Sequence, residues 1–235
     1  KKFTKIVNYK IPVICVGNIY IGGTGKTPLS LYLANELKRR GKNPAVVRKY
    51  YKNHKDEHDL IKKNFKSFIL NKSRDKAIRE AEKRGFDSVI LDDGFQDYKI
   101  KKDLNIICFN SNQLDGNGLI IPAGPLRESL HEIKNYDLVF LNGEKKNNKL
   151  IKKIKSINKK ITIFFGSYVV TNLKYLDRNK NYIMMCGIGN PHEFENTLLR
   201  YKFNIINKFI YPDHYKIPNS QINNIKNLAK KEKLK

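Results

Sequence analysis

The sequence predicts an α/β fold: a mostly parallel sheet flanked by helices, followed by a second, smaller α/β domain. Three observations carry this. Short runs rich in apolar and β-branched residues alternate with amphipathic, lysine-rich stretches of helical period. Several of those runs are apolar at successive positions, as strands covered on both faces are. The first run leads directly into a glycine-rich stretch, GNIYIGGTGKTP (17–28), that opens a helical pattern.

The strand segments, in order, are PVICVGN (12–18), PAVVRKY (44–50), SFIL (67–70), SVILDD (88–93), LNIICFN (104–110), YDLVFLNG (136–143), ITIFFGSYVV (161–170), NYIMMCG (181–187) and NIINKFIY (204–211). Helical patterns fall between several of them. Leu29, Leu33 and Leu37 recur on one face and the pattern stops at Gly41; residues 74–84 behave alike and stop at Gly85. A lysine-rich stretch at 143–160 follows a finished strand, and its periodic Leu150, Ile151, Ile154 and Ile157 favour a helix. This places a larger N-terminal domain at 1–145 and a smaller C-terminal α/β domain at 146–235.

A chain of 235 residues can bury a substantial core. Its net charge of +25 suits an anionic partner: nucleic acid, an acidic membrane face or a phosphorylated substrate. Lysine is also dispersed along the whole chain, so compositional bias explains the charge equally well. No basic and aromatic cluster of the kind that binds nucleic acid is present, and nucleic acid is not an expected partner. Cys15, Cys108 and Cys186 sit singly in apolar runs and read as reduced core residues. No apolar stretch approaches membrane-spanning length. The first residue is Lys, which leaves an upstream anchor open.

Five segments carry chemistry. In GNIYIGGTGKTP, Gly25, Lys26 and Thr27 fit the end of the phosphate-loop pattern, while Tyr20 holds its first glycine position. Gly22, Gly23, Thr24 and Gly25 let amide N–H groups converge at a helix N-terminus, Lys26 would reach the β- and γ-phosphates, and Thr27 would offer its hydroxyl to Mg²⁺. The fold is therefore read as similar to that of phosphate-loop NTPases, with ATP and Mg²⁺ as its cofactors. In SVILDDGFQD a buried strand delivers Asp92 and Asp93 at its C-terminal end, where open parallel sheets bind ligands and NTPases hold Mg²⁺. In KDEHDL, Asp56 and Glu57 open a helix, and N-terminal capping and dipole matching account for them better than catalysis does. The loop DGNGLIIPAGPLRESL (115–130) presents Arg127, either a phosphate or carboxylate clamp or a surface partner of Glu128. In YPDHY, His214 follows Asp213 at a strand end, a structural pair or a tuned base.

Taken in order, these segments resemble one family, the tetraacyldisaccharide 4'-kinases of lipid A synthesis. The resemblance rests on VGNIYIGGTGKTP, LDDGFQ, GNGLIIPAGPLRE, GIGNPHEFENTL and YPDHY, of which GNGLIIPAGPLRE is the most specific. It implies transfer of the ATP γ-phosphate to the 4'-hydroxyl of an acylated disaccharide 1-phosphate, giving lipid IVA, at the cytoplasmic face of an inner membrane with an anionic surface. It implies Asp56 as the base and His214 as its support. Asn18, Tyr51, Glu57, Gln96 and Arg127 then fall on the substrate side. It also implies a chain truncated at both ends, because the family carries an N-terminal hydrophobic helix and a later Thr-Thr-Glu-Lys-Asp segment. RKYYK (48–52) departs from the family's Ser-Arg-Gly-Tyr-Gly, with Lys49 set at the arginine and Tyr50 and Lys52 at glycines; His58 stands for a proline and Asp97 for a histidine. The competing reading is a phosphate-loop GTPase or nucleotide-dependent accessory protein, although no Asn/Thr-Lys-x-Asp guanine reader is present.

Overall fold

A computed structural model describes residues 5–20, 23–52, 54–112, 117–144, 146–213 and 215–235. All nine strand segments form strands. β1 (Val13–Gly17), β2 (Pro44–Lys49), β3 (Phe68–Asn71), β4 (Ser88–Asp92), β5 (Leu104–Asn110), β6 (Leu138–Asn142) and β7 (Thr162–Gly166) make one sheet in the order β3-β2-β4-β1-β5-β6-β7. Every neighbouring pair in it is parallel. Four helices connect its strands: α1 (Lys26–Arg39), α2 (Lys55–Asn64), α3 (Arg74–Lys83) and α4 (Asn148–Ile157).

The side-chain period of two divides the core into two layers. Val13, Cys15, Val47, Val89 and Leu91 face one side, where Ala77, Ile78, Leu150 and Ile154 of α3 and α4 cover them. Val16, Val46, Ile90 and Cys108 face the other, under Leu29, Ala34 and Ile61 of α1 and α2. This is why the strands read as unbroken apolar runs. It also buries Cys15 and Cys108; Cys186 is buried in the smaller unit, and all three are free thiols. α1 and α3 end just before Gly41 and Gly85, the stops marked in the sequence. Ser73 caps α3 by accepting from Lys76 N, and Asn147 caps α4 by accepting from Leu150 N at 3.0 Å.

The chain divides into compact units at Ser167/Tyr168, not at 145/146. The lysine-rich stretch that reads as a boundary carries an apolar stripe. Leu150 and Ile154 of α4 are fully buried in the large unit's core, and β7 pairs with β6 from Leu138↔Thr162 to Asn142↔Gly166. β7 stops at Gly166 rather than running to Val170. The smaller unit pairs β8 (Asn181–Cys186) in parallel with β9 (Asn204–Ile210) and adds α5 (Pro191–Arg200) and α6 (Asn219–Lys231). Met184, Cys186 and Phe203 are its buried apolar residues. No helix among the described residues is long and apolar enough to cross a membrane.

If α4 belongs to the large unit's core, Ile154→Ala should lower its unfolding free energy by about 2–5 kcal/mol. Lys152→Ala, on the exposed face of the same helix, should change it by less than about 0.5 kcal/mol. Urea unfolding followed by circular dichroism distinguishes these outcomes.

Candidate active site

The site is built at the C-terminal edge of the sheet, where β1, β2 and β4 end side by side. The register sets Arg48 of β2 and Val16 of β1 both across from Asp92 of β4. Past β1 the chain curls around Asn18, a buried residue whose Nδ2 donates to Tyr20 O at 2.6 Å and to Thr24 Oγ1 at 3.0 Å. Gly25 then takes the left-handed conformation, with φ +87°, and starts α1. A side chain there would be strained and would meet Asn142 at the end of β6, 2.9 Å from Nδ2. The G-K-T end of the motif thus lies at a helix N-terminus, as a phosphate loop requires. Thr24 and Thr27 are buried and Gly23 is exposed, while Gly22 lies outside the described residues.

Asp92 and Asp93 are consecutive, yet they face different surroundings. Asp92 is fully buried. Its carboxylate accepts from Thr27 Oγ1 at 3.0 Å, from Ser30 Oγ at 3.2 Å and from the Arg48 guanidinium. Arg48 also donates to Thr27 Oγ1 at 3.1 Å and pairs with Glu57 on α2, and Glu57 meets His54 Nδ1 at 3.1 Å. Asp93 adopts φ +61°, so its side chain swings away from its neighbour's. The Arg74 guanidinium holds the Asp93 carbonyl. The Asp93 carboxylate lies 3.3 Å from Arg127 and 3.9 Å from Lys26 Nζ.

Charge follows from this geometry. Burial pushes the Lys26 ammonium below its usual range, against the pull of Asp93 and Asp92. Burial raises Asp93, but Lys26 and Arg127, with Arg48 and Arg74 behind them, outweigh it and hold the carboxyl below its ordinary 3.8. Arg48 meets Asp92 and Glu57, and Arg74 meets Asp97, whereas Lys26 and Arg127 share the single Asp93 carboxylate. The unmatched positive charge is therefore local to Lys26 and Arg127, as a polyphosphate site needs.

The loop carrying Arg127 is tied to the phosphate loop: Arg127 N donates to Ile19 O at 2.7 Å, and Tyr20 and Leu126 form an antiparallel bridge. Arg127 therefore acts on Asp93 and not on Glu128, which accepts instead from the Tyr98 and Tyr136 hydroxyls. Asp56 is exposed on the first turn of α2, one residue from Glu57. Gln96 is exposed in the turn after β4. Tyr51 is exposed, with Lys49 5.6 Å over its ring. His58 is buried against the Tyr50 ring, where burial and then Arg48 lower its pKa. His214 lies outside the described residues.

Four contributors had no sequence signal of their own. Arg48, not Lys49, is the cation that β2 sends into the site; the register with Asp92 decides this. Arg74 reads as an ordinary residue after a helix cap. Lys102 donates to Asp97 O at 2.8 Å and Phe95 O at 3.3 Å, which ties down the turn after Asp93. Asn142 closes over Gly25 from a strand that carries no motif.

Fold and site together define a protein of the phosphate-loop NTPase class. The sequence profile of one family, tetraacyldisaccharide-1-P 4'-kinase, matches residues 1–235. The tetraacyldisaccharide 4'-kinase of Pelagibacter ubique (strain HTCC1062) is 43% identical over 232 residues, which cover 98% of this chain and 74% of that protein. That of Rickettsia canadensis (strain McKiel) is 36% identical over 241 residues, covering 93% and 70%. Among solved structures, LpxK from Aquifex aeolicus in complex with ATP superposes with a TM-score of 0.67 at 25% identity, covering 91% of this chain and 76% of that one. The chain belongs to the tetraacyldisaccharide 4'-kinase family.

The depressed Asp93 fixes the sign of one pH effect. Its stabilisation is fully present above the ordinary carboxyl value of 3.8 and is lost as pH falls through the lower folded-state value. Asp93→Asn should therefore be less stable than the parent at neutral pH, and the gap should narrow as pH drops below about 4. Thermal unfolding of both proteins across that range measures it. A gap that is constant with pH would remove the ion pairs with Lys26 and Arg127 from the account.

Proposed function

We propose that this chain binds ATP at Lys26 and transfers its γ-phosphate to the 4'-hydroxyl of a tetraacyldisaccharide 1-phosphate, giving lipid IVA. The observation that carries the reading is the partly buried Lys26 at a helix N-terminus, grouped with Asp93 and Arg127 at the sheet's C-terminal edge. The family and the ATP-bound relative support it and disfavour the GTPase alternative.

The roles follow from the positions. Backbone N–H groups of the loop at Gly23, Thr24 and Gly25, with Gly22, cradle the phosphates, and Lys26 neutralises the β- and γ-phosphates. Thr27, Asp92 and Asp93 supply hard oxygen donors of the kind Mg²⁺ takes alongside phosphate oxygens, and Thr27 Oγ1 already lies 3.0 Å from Asp92 Oδ2. Bound Mg²⁺ would neutralise charge that develops on the transferred group. Among the described residues no group of three or more His, Cys, Asp or Glu could hold a metal unaided, so phosphate oxygens and water complete such a site.

Asp56 takes the proton from the 4'-hydroxyl; the supporting role that the family resemblance assigns to His214 falls outside the described residues. Glu57, locked to Arg48, fixes α2 and hence Asp56 relative to Asp92. Tyr51, Gln96 and Arg127 keep access to solvent and are the candidates for acceptor contact, whereas Asn18 is fully buried and shapes the phosphate loop instead. Phosphoryl transfer leaves the protein mainly positioning and charge stabilisation to perform. The acceptor is a lipid, and the chain's +25 charge suits an anionic inner-membrane surface at the cytoplasmic face, where ATP is available.

Phosphorylation of the acceptor dispersed in detergent, with ATP labelled at the γ-position, tests the assignment. Asp56→Asn should lower turnover by about 10²- to 10⁴-fold while leaving ATP affinity within about twofold. Lys26→Ala should weaken ATP binding itself. Near-parental turnover in Asp56→Asn would take the base role from Asp56.

A further inference from the structure

The loop that delivers Arg127 has a second feature that phosphate chemistry does not use. From Gly118 to Leu126 it reads GLIIPAGPL, with no charged residue, in a chain where charged residues make up 29%. Leu126 is fully buried, yet Leu119, Ile120 and Ile121 are 51%, 45% and 47% exposed. Three consecutive large apolar side chains in water are costly unless something covers them.

Their exposure comes from an ordered backbone. Leu119 N donates to Asn117 Oδ1 at 3.1 Å, and Asn117 Nδ2 donates to Ala123 O at 2.8 Å. Ile121 N donates to Leu126 O at 2.8 Å, Leu126 N to Leu119 O at 3.1 Å, and Ala123 N to Ile120 O at 3.0 Å. Gly124 leaves no room for a side chain: a Cβ there would lie 2.4 Å from Leu119 O. The loop is thus closed on itself with its apolar side chains outward, so little conformational entropy remains to be lost when they are covered. Its base is bridged to Tyr20 and leads into Arg127, so whatever holds the tip also stands next to the phosphate site.

We propose that Leu119, Ile120 and Ile121 form a tip that inserts into the headgroup and upper acyl region of an anionic bilayer, docking the site against the surface that holds its lipid acceptor. This rests on the kinase reading given above. Charge complementarity selects the partner: a +25 chain is drawn to anionic lipid, and a short apolar tip adds the depth that charge alone does not give. The tip is three residues wide, so it anchors weakly and reversibly, as an enzyme that must release its product requires.

The chain has no tryptophan, so Ile120→Trp places a single reporter at the tip. The protein is mixed with vesicles of phosphatidylglycerol and phosphatidylcholine in equal parts, without ATP or acceptor. Tryptophan emission should shift to the blue and be quenched by lipids brominated on the upper acyl chain. Adding Leu119→Ser and Ile121→Ser should weaken vesicle binding roughly tenfold, with ATP affinity unchanged. Vesicle binding without a spectral shift or quenching would mean that lysines hold the protein at the surface with the loop in water. Absence of vesicle binding would equally overturn the proposal. Because the vesicle experiment contains neither substrate, a failure of the kinase assignment would show only in the detergent assay and leave this readout intact.

Discussion

The buried ion pair between Arg48 and Asp92 is the interaction on which the rest of the site depends. The parallel register of β2 and β4 puts the two residues side by side, with side chains 5% and 0% exposed. Breaking such a pair costs about 3–5 kcal/mol, because one charge is left buried without its partner. Here the pair is also a junction. Through Thr27 and Ser30 it fixes the first turns of α1, and with them the phosphate loop. Through Glu57 it fixes α2, the helix that presents Asp56. The phosphate loop and α2 are therefore set relative to one another by a single guanidinium. The Glu57 carboxylate keeps partial access to water, whereas that of Asp92 has none.

The neighbouring carboxylate shows how one strand end can serve two purposes. Asp92 continues the strand, and its buried carboxylate ties Thr27, Ser30 and Arg48 together. Asp93 turns left-handed, a conformation that costs a non-glycine residue of order 1 kcal/mol. Arg74 holds the turn from behind, at the carbonyl, and Lys26 and Arg127 hold the carboxylate in front. The result is a partly exposed acid among cations, adjacent to a lysine whose charge burial has made less comfortable. An incoming polyphosphate would supply the compensating charge that these cations lack. Catalysis by such a site is chiefly electrostatic preorganisation, since the charged groups are placed before the substrates arrive.

Much of this was legible in the sequence, for identifiable reasons. β1, β2, β4 and β5 carried a strong signal, because strands buried on both faces must be apolar at successive positions; β7 and β9 are largely exposed and are marked by their β-branched and aromatic residues instead. Lys26, Thr27, Asp92 and Asp93 converge because each lies at a strand end or a helix start that motif and context both mark, and Arg127 joins them from an ordered loop rich in glycine and proline. The rest depended on tertiary register. Nothing local distinguishes Arg48 from Lys49; only the pairing of β2 with β4 decides which side chain faces Asp92. Arg74, Lys102 and Asn142 act through contacts 19, 5 and about 117 residues distant along the chain, or through backbone groups that leave no compositional trace. The unit boundary was set too early because lysine density in 143–160 was weighed against a stripe of four apolar residues. The stripe decides burial, and the lysines cover the helix's exposed face.

The central claim is that Arg48 and Asp92 act as one buried unit organising both halves of the site. Equilibrium unfolding of Arg48→Met, Asp92→Leu and the double variant tests it most directly. A coupled pair predicts that the double variant is more stable than either single one, because it leaves no fully buried charge unpaired, while the partly exposed Glu57 keeps water and His54. If instead the two single losses simply add in the double variant, the pair does not organise the site and the account fails.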